Sequence, residues 1–102
     1  MPRTEGSDGP DGPDGAVTLR YWAAAKQAAG TAEESFGSVA AESLAALLAA
    51  AVLAHPDDGA FARVLARCSF LVDGDPVGTR PHAEVTLRDG AVVEALPPFA
   101  GG

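Results

Sequence analysis

Val17-Thr18-Leu19-Arg20-Tyr21-Trp22 alternates along the chain, with Val17, Leu19 and Tyr21 on one face and Thr18, Arg20 and Trp22 on the other. A period of two predicts a half-buried strand. Ala23 to Ala29 is Ala-rich and predicts one or two helical turns, with Gly30 as the residue that stops them. Glu33 to Phe36 predicts a short second strand. The period then changes: Leu44, Leu47, Leu48, Ala51 and Val52 recur at i, i+3, i+4, i+7 and i+8, one apolar helical stripe. Ser38 is the expected cap of this helix, and Glu42 lies near its positive dipole end. His55-Pro56-Asp57-Asp58-Gly59 breaks the pattern. A short helix is expected over Ala60 to Arg67 and a third strand over Cys68 to Val72. Asp73-Gly74-Asp75-Pro76 has the residues of a turn, and Val77 is expected to begin a short return strand. Glu84 to Leu87 reads as a small extended piece and Arg88-Asp89-Gly90 as another turn. Ala91 to Leu96 is the final strand.

These elements fit an α+β fold in which the Ala-rich helix covers one face of a small mixed sheet. The first and last strands both suit a sheet centre. If they pair in parallel, the chain between them is the crossover such a pair requires. The arrangement is ββαββ, the β-grasp of ubiquitin-like proteins.

Residues 1–15 stand apart. They are rich in Gly, Pro and Asp and hold no large apolar side chain beyond Met1. Such a segment buries too little surface to offset its ordering entropy, and disorder is expected. The organisation expected is thus an acidic tail over 1–15, a β-grasp domain over 16–96 and an extended C-terminal tail over 97–102.

Composition narrows the function. The 102 residues suffice for one small domain, and their 47% hydrophobic content for one core. The longest apolar stretch, Leu44 to Ala54, falls well short of the ~18 residues of a membrane span. No signal-peptide pattern opens the chain, so no membrane association and a cytoplasmic location are expected. One cysteine, Cys68, excludes an internal disulfide and any multi-cysteine metal site. The net charge is −7. Arg3 against Glu5, Asp8, Asp11 and Asp14 puts −3 of it in the first fifteen residues, leaving −4 on the body. Nucleic acid is therefore excluded as a natural partner, whereas a basic protein surface fits.

The candidate chemistry sits at the end of the chain, Leu96-Pro97-Pro98-Phe99-Ala100-Gly101-Gly102. Glycine has no Cβ, so Gly101 and Gly102 pass through a channel too narrow for other residues. The expectation is that Gly102 presents a free carboxylate. Joined to AMP as a mixed anhydride, it becomes an electrophile from which a sulfur nucleophile displaces AMP. Pro97 and Pro98 fix φ and lack N–H donors, so they end the sheet and stiffen the tail. Phe99 is an apolar ring with no core to join, a candidate interface anchor.

Two segments together resemble the MoaD/ThiS family. The opening, residues 17–30, is similar to that family's strand, aromatic pair and Ala-x-x-Arg/Lys-x-x-x-Gly run, here Tyr21-Trp22-Ala23 through Lys26 to Gly30. The close, Leu87 to Gly102, is similar to its Asp-Gly turn, hydrophobic strand and Pro-Pro-x-x-Gly-Gly end. The resemblance spans residues 16–102. The double proline is most like the small subunit of molybdopterin synthase. Ala91 stands where the family commonly has a second acid, and Lys26 where it commonly has arginine.

The resemblance implies a ubiquitin-like sulfur carrier, not catalytic alone, that serves as cosubstrate and small subunit of a sulfurtransferase. Gly102 would be adenylated by an E1-like enzyme using ATP and converted to a thiocarboxylate by a sulfur donor protein. The sulfur would serve molybdopterin synthesis in a heterotetramer with the synthase large subunit. No cofactor would be bound by the chain itself, which has no phosphate loop. Sibling carriers for cysteine, thiamine or secondary metabolites, and a ubiquitin-like protein modifier, remain alternatives. Trp22, Lys26, Leu96, Pro97, Pro98, Phe99, Ala100 and Gly101 resemble the partner-binding set. Cys68 reads as a small buried residue, His55 and His82 as residues without a catalytic partner, and Asp73-Gly74-Asp75 as a turn, not a calcium loop.

Overall fold

The computed structural model describes residues 16–37, 42–56 and 59–98. The elements, in order, are β1 (Val17–Tyr21), α1 (Ala23–Ala29), β2 (Glu33–Phe36), α2 (Leu44–Ala54), α3 (Ala60–Ala66), β3 (Ser69–Val72), β4 (Asp75–Pro76), a 3-10 turn (His82–Glu84) and β5 (Val92–Leu96). The strands form one five-stranded sheet in the order β2-β1-β5-β3-β4. β1 and β5 run parallel, with Leu19 beside Val93 and Tyr21 beside Ala95. The other pairings are antiparallel. This is the mixed β-grasp sheet, with its first and last strands adjacent near the middle.

The alternation in β1 sorts side chains as a half-buried strand must. Val17, Leu19 and Tyr21 face the helices and are buried together with Val93, Ala95 and Phe70 from the neighbouring strands. α2 covers them with Leu44, Leu47 and Ala51, all fully buried. Burying each of the two leucines is worth about 1.5–3 kcal/mol. The buried stripe is narrower than the sequence period implies: Leu48 is only partly buried and Val52 is exposed.

The start of α2 also differs from expectation. Its cap is Ser43, whose Oγ accepts from the Ala46 N–H at 3.1 Å; Ser38 lies outside the described residues. Ser43 directly precedes the first core leucine and is held by a β-bridge to Thr86. An extended residue there already has the geometry of a cap. Two further boundaries move. The return strand β4 occupies Asp75–Pro76, ahead of Val77, and proline is tolerated there because β4 is an edge. His82–Glu84 is a 3-10 turn where an extended piece from Glu84 was expected. At Ala91 the side chain is buried, so an acid there would be desolvated.

Edge strand β2 turns Glu34 inward, beside Leu19 in the register. The Tyr21 hydroxyl donates to Glu34 Oε1 at 2.6 Å, and His55 Nε2 lies 2.7 Å from the same oxygen. Toward a carboxylate that nitrogen carries the proton. His55 also stacks on Phe61 at 4.3 Å, and Tyr21 meets Phe61 edge-on at 5.5 Å. Burial first, and the Glu34 carboxylate second, hold the Tyr21 hydroxyl far above the usual tyrosine range. The cluster ties β1, β2 and the end of α2 together. His55 thus has a structural partner 21 residues away.

Candidate functional site

The sheet face away from the helices carries the other half of each strand's alternation, polar on β1 and β2 and mixed on β3 and β5. The register sets Arg20 of β1 beside Glu33 of β2 and Glu94 of β5, with Leu71 of β3 on the other side of Glu94. Trp22 follows β1 in extended conformation (φ −123°, ψ 150°). The next residue, Ala23, has φ 49°, a left-handed conformation that costs an L-residue roughly 1–2 kcal/mol. The chain turns sharply there into α1. The Trp22 ring is 43% exposed, and its Nε1 donates to Glu94 Oε2 at 3.2 Å. Arg20 Cζ lies 5.8 Å from the ring centre while Arg20 Nε reaches Glu33 Oε1 at 3.5 Å. The indole is therefore a partly exposed group held in place by its neighbours.

Because β1 and β5 are parallel, they end at the same edge of the domain. Tyr21 pairs with Ala95, so Trp22 and Leu96 emerge side by side where β5 leaves the sheet. Leu96 and Pro97 are half-buried and Pro98 is exposed. Lys26 is exposed one helical turn beyond Trp22. The structure thus brings Trp22, Leu96 and Pro97 together at the root of the tail. Phe99, Ala100, Gly101 and Gly102 lie outside the described residues.

The remaining candidates fall elsewhere. Cys68 is half-buried between α3 and β3, its Sγ donating to the Val64 carbonyl at 3.4 Å. Burial pushes its thiol up to about 11. A thiol so raised favours the folded state below the ordinary thiol range, and this stabilisation is lost as pH rises toward 11. We expect alkylation of Cys68 in the folded protein to be slow at pH 8 and to accelerate only near pH 11. Rapid labelling at pH 8 under native conditions would contradict this. His82 meets the edge of Phe70 at 5.3 Å and lines an apolar groove with Leu48, Val52 and Leu53 on the helical side, away from the tail. Asp73 Oδ1 accepts from the Val92 N–H at 2.9 Å, which makes the Asp73 turn a clamp on the start of β5. Among the described residues no group of three or more metal-ligating side chains assembles, and no helix is long and apolar enough to cross a membrane.

Sequence reasoning missed Glu94. It is the residue that fixes the indole, and its one sequence signal is a lone acid on the outward face of an otherwise apolar strand.

Comparison with known proteins agrees with this architecture. The sequence profile of the ThiS family matches residues 19–102. The molybdopterin synthase sulfur carrier subunit of Chlamydomonas reinhardtii is 31% identical over 86 residues, covering 84% of this chain and 98% of that protein. The small archaeal modifier protein 1 of Methanosarcina acetivorans superposes with a TM-score of 0.70 at 22% identity, over 89% of this chain and 100% of the other. A chain in the complex of subunits 1 and 2 of the molybdopterin-converting factor from Helicobacter pylori superposes at 0.58 with 21% identity, over 85% and 99%. Both structural likenesses show the ubiquitin-like β-grasp fold.

Proposed function

The chain belongs to the ThiS family, and from that premise we propose that it is a sulfur carrier whose reactive group is the carboxylate of Gly102, acting as the small subunit of a molybdopterin synthase. An E1-like partner binds ATP and joins the Gly102 carboxylate to the α-phosphate, releasing pyrophosphate. The outer sulfur of a donor protein's persulfide then attacks the carbonyl carbon and AMP leaves. A thiol cleaves the resulting S–S bond, itself becoming part of a disulfide, and leaves the thiocarboxylate. The large subunit takes the loaded tail and the sulfur passes to a pterin precursor. In this reading acid, base and metal chemistry belong to the partners. It presents a narrow reactive end and a surface by which partners hold it.

The observation that carries this reading is the shared exit of β1 and β5, which sets Trp22 and Leu96 beside the root of the Pro97-Pro98 tail. A partner gripping that face has the tail aimed into its own body. Six residues from Pro97 span at most about 20 Å at ~3.3–3.6 Å each, enough to cross a surface and enter a buried site. The Chlamydomonas relative, named as a molybdopterin synthase sulfur carrier, favours this acceptor over those of sibling pathways. The test is intact mass after incubation with ATP, the activating enzyme and a sulfide source. Replacement of one oxygen by sulfur, mapped to Gly102, is the expected result. An unchanged mass beside an activating enzyme that loads another carrier would refute the reading.

A further inference from the structure

Glu94 sits at the middle of the outward sheet face, on a strand with neighbours on both sides. Arg20 and Leu71 flank it across the sheet, Val92 and Leu96 along the strand. It is half-buried, with a charged neighbour in Arg20 and apolar ones in Leu71, Val92 and Leu96. Its Oε2 accepts from Trp22. Its Oε1 has no hydrogen-bond partner among the described residues. Arg20, the nearest cation in the register, is drawn the other way, with its Nε toward Glu33 and its guanidinium over the indole.

Glu94 is only half-buried, which leaves Oε1 to be hydrated by solvent in the free protein. A partner that covers Trp22 and Leu96 removes that water. An ionised carboxylate left unpaired in an interface is strongly unfavourable, so a partner that binds here must bring a donor. Arginine fits best: its planar fork matches a carboxylate, its flat face stacks on an aromatic ring, and it sheds water more readily than lysine. The acidic body of the chain favours the same sign of partner charge.

We propose that Glu94 is a specificity residue of the docking face, reading an arginine on the partner that accepts the tail, with the Trp22 indole holding its carboxylate in position. This rests on the sulfur-carrier reading above. It explains why a strand that could be wholly apolar carries one acid at its centre. The pair excludes partners with an acidic or purely apolar surface, since both would leave Glu94 desolvated and alone.

The test is calorimetric binding of wild type and Glu94→Gln to the molybdopterin synthase large subunit encoded in the same genome, at low and high salt. Gln keeps the shape and an acceptor for Trp22 Nε1 but removes the charge. The expected result is affinity weakened about tenfold or more at low salt, a flatter salt dependence, and an unchanged unfolding midpoint. Equal or tighter binding by Glu94→Gln, or a salt dependence identical to wild type, overturns the proposal while leaving the carrier reading intact. Failure of wild type itself to bind overturns the choice of partner, and the proposal with it.

Discussion

Deleting Gly102 should abolish sulfur loading and leave the fold untouched. Among the described residues the buried core runs from Val17 to Ala95, and neither Pro97 nor Pro98 belongs to it. The new terminus, Gly101, is also a glycine with a carboxylate, so the chemistry of the end is unchanged; only its reach differs. One residue of extended chain is ~3.3–3.6 Å. Reacting atoms must approach to about 3–3.5 Å in a productive complex. A shortfall of one residue therefore takes the carboxylate out of range altogether. The tail cannot readily recover it by sliding, because Pro97 and Pro98 restrict how its root bends. Mass spectrometry with the activating enzyme should show no sulfur on the truncated chain, while its thermal midpoint matches wild type. Normal loading would show that position along the tail is immaterial. A lowered midpoint would show that the tail is part of the fold.

Most of this architecture is legible along the chain because its signals are local. The alternation of Val17 to Trp22 sets which side chains of β1 are buried, and that assignment holds at every position from Val17 to Tyr21. Gly30 ends α1 in the left-handed conformation its residue type implies. Parallel pairing of the outer strands follows once both are recognised as central. The boundaries that differ from expectation are those where two local signals compete. Ser38 and Ser43 both precede the same apolar run; the bridge that holds Ser43 extended is to Thr86, 43 positions along the chain. The return strand begins two residues earlier than Val77 suggests: Pro76 sits opposite Leu71 without needing an N–H, and the Val77 N–H then donates to the Phe70 carbonyl at 2.9 Å.

The parts that sequence could not reach are the polar contacts over long separations. Tyr21 meets Glu34 and His55 because β2 folds back on β1 while α2 crosses above them. Trp22 meets Glu94 across 72 positions because β1 and β5 are neighbours in the sheet. Residue types alone do not say whether Glu34 or Glu33 turns inward; the register does. The same register makes the face around Trp22 and Glu94 a composite of several strands, so no contiguous motif encodes it.

Trp22→Ala should separate docking from folding. What holds the indole is one exposed hydrogen bond to Glu94 and one cation–π contact with Arg20. Exposed contacts of these kinds are worth about 0.5–1 kcal/mol each at most, and relief of neither touches the buried side chains of β1. Loss of stability should therefore stay within about 1–2 kcal/mol, read as a small shift of the denaturation midpoint. Binding should suffer more. A tryptophan at the centre of a covered face belongs to the residue type that most often dominates such surfaces, where truncation costs about 2 kcal/mol or more, or roughly thirtyfold in affinity. The variant should bind the large subunit at least that much more weakly while melting close to wild type. Ala at this position also frees Glu94 Oε2, so a covered Glu94 would then have two oxygens to satisfy in place of one, and the loss should exceed that of Glu94→Gln. A midpoint that falls steeply while affinity holds would place the indole in the core and move the docking face elsewhere on the domain.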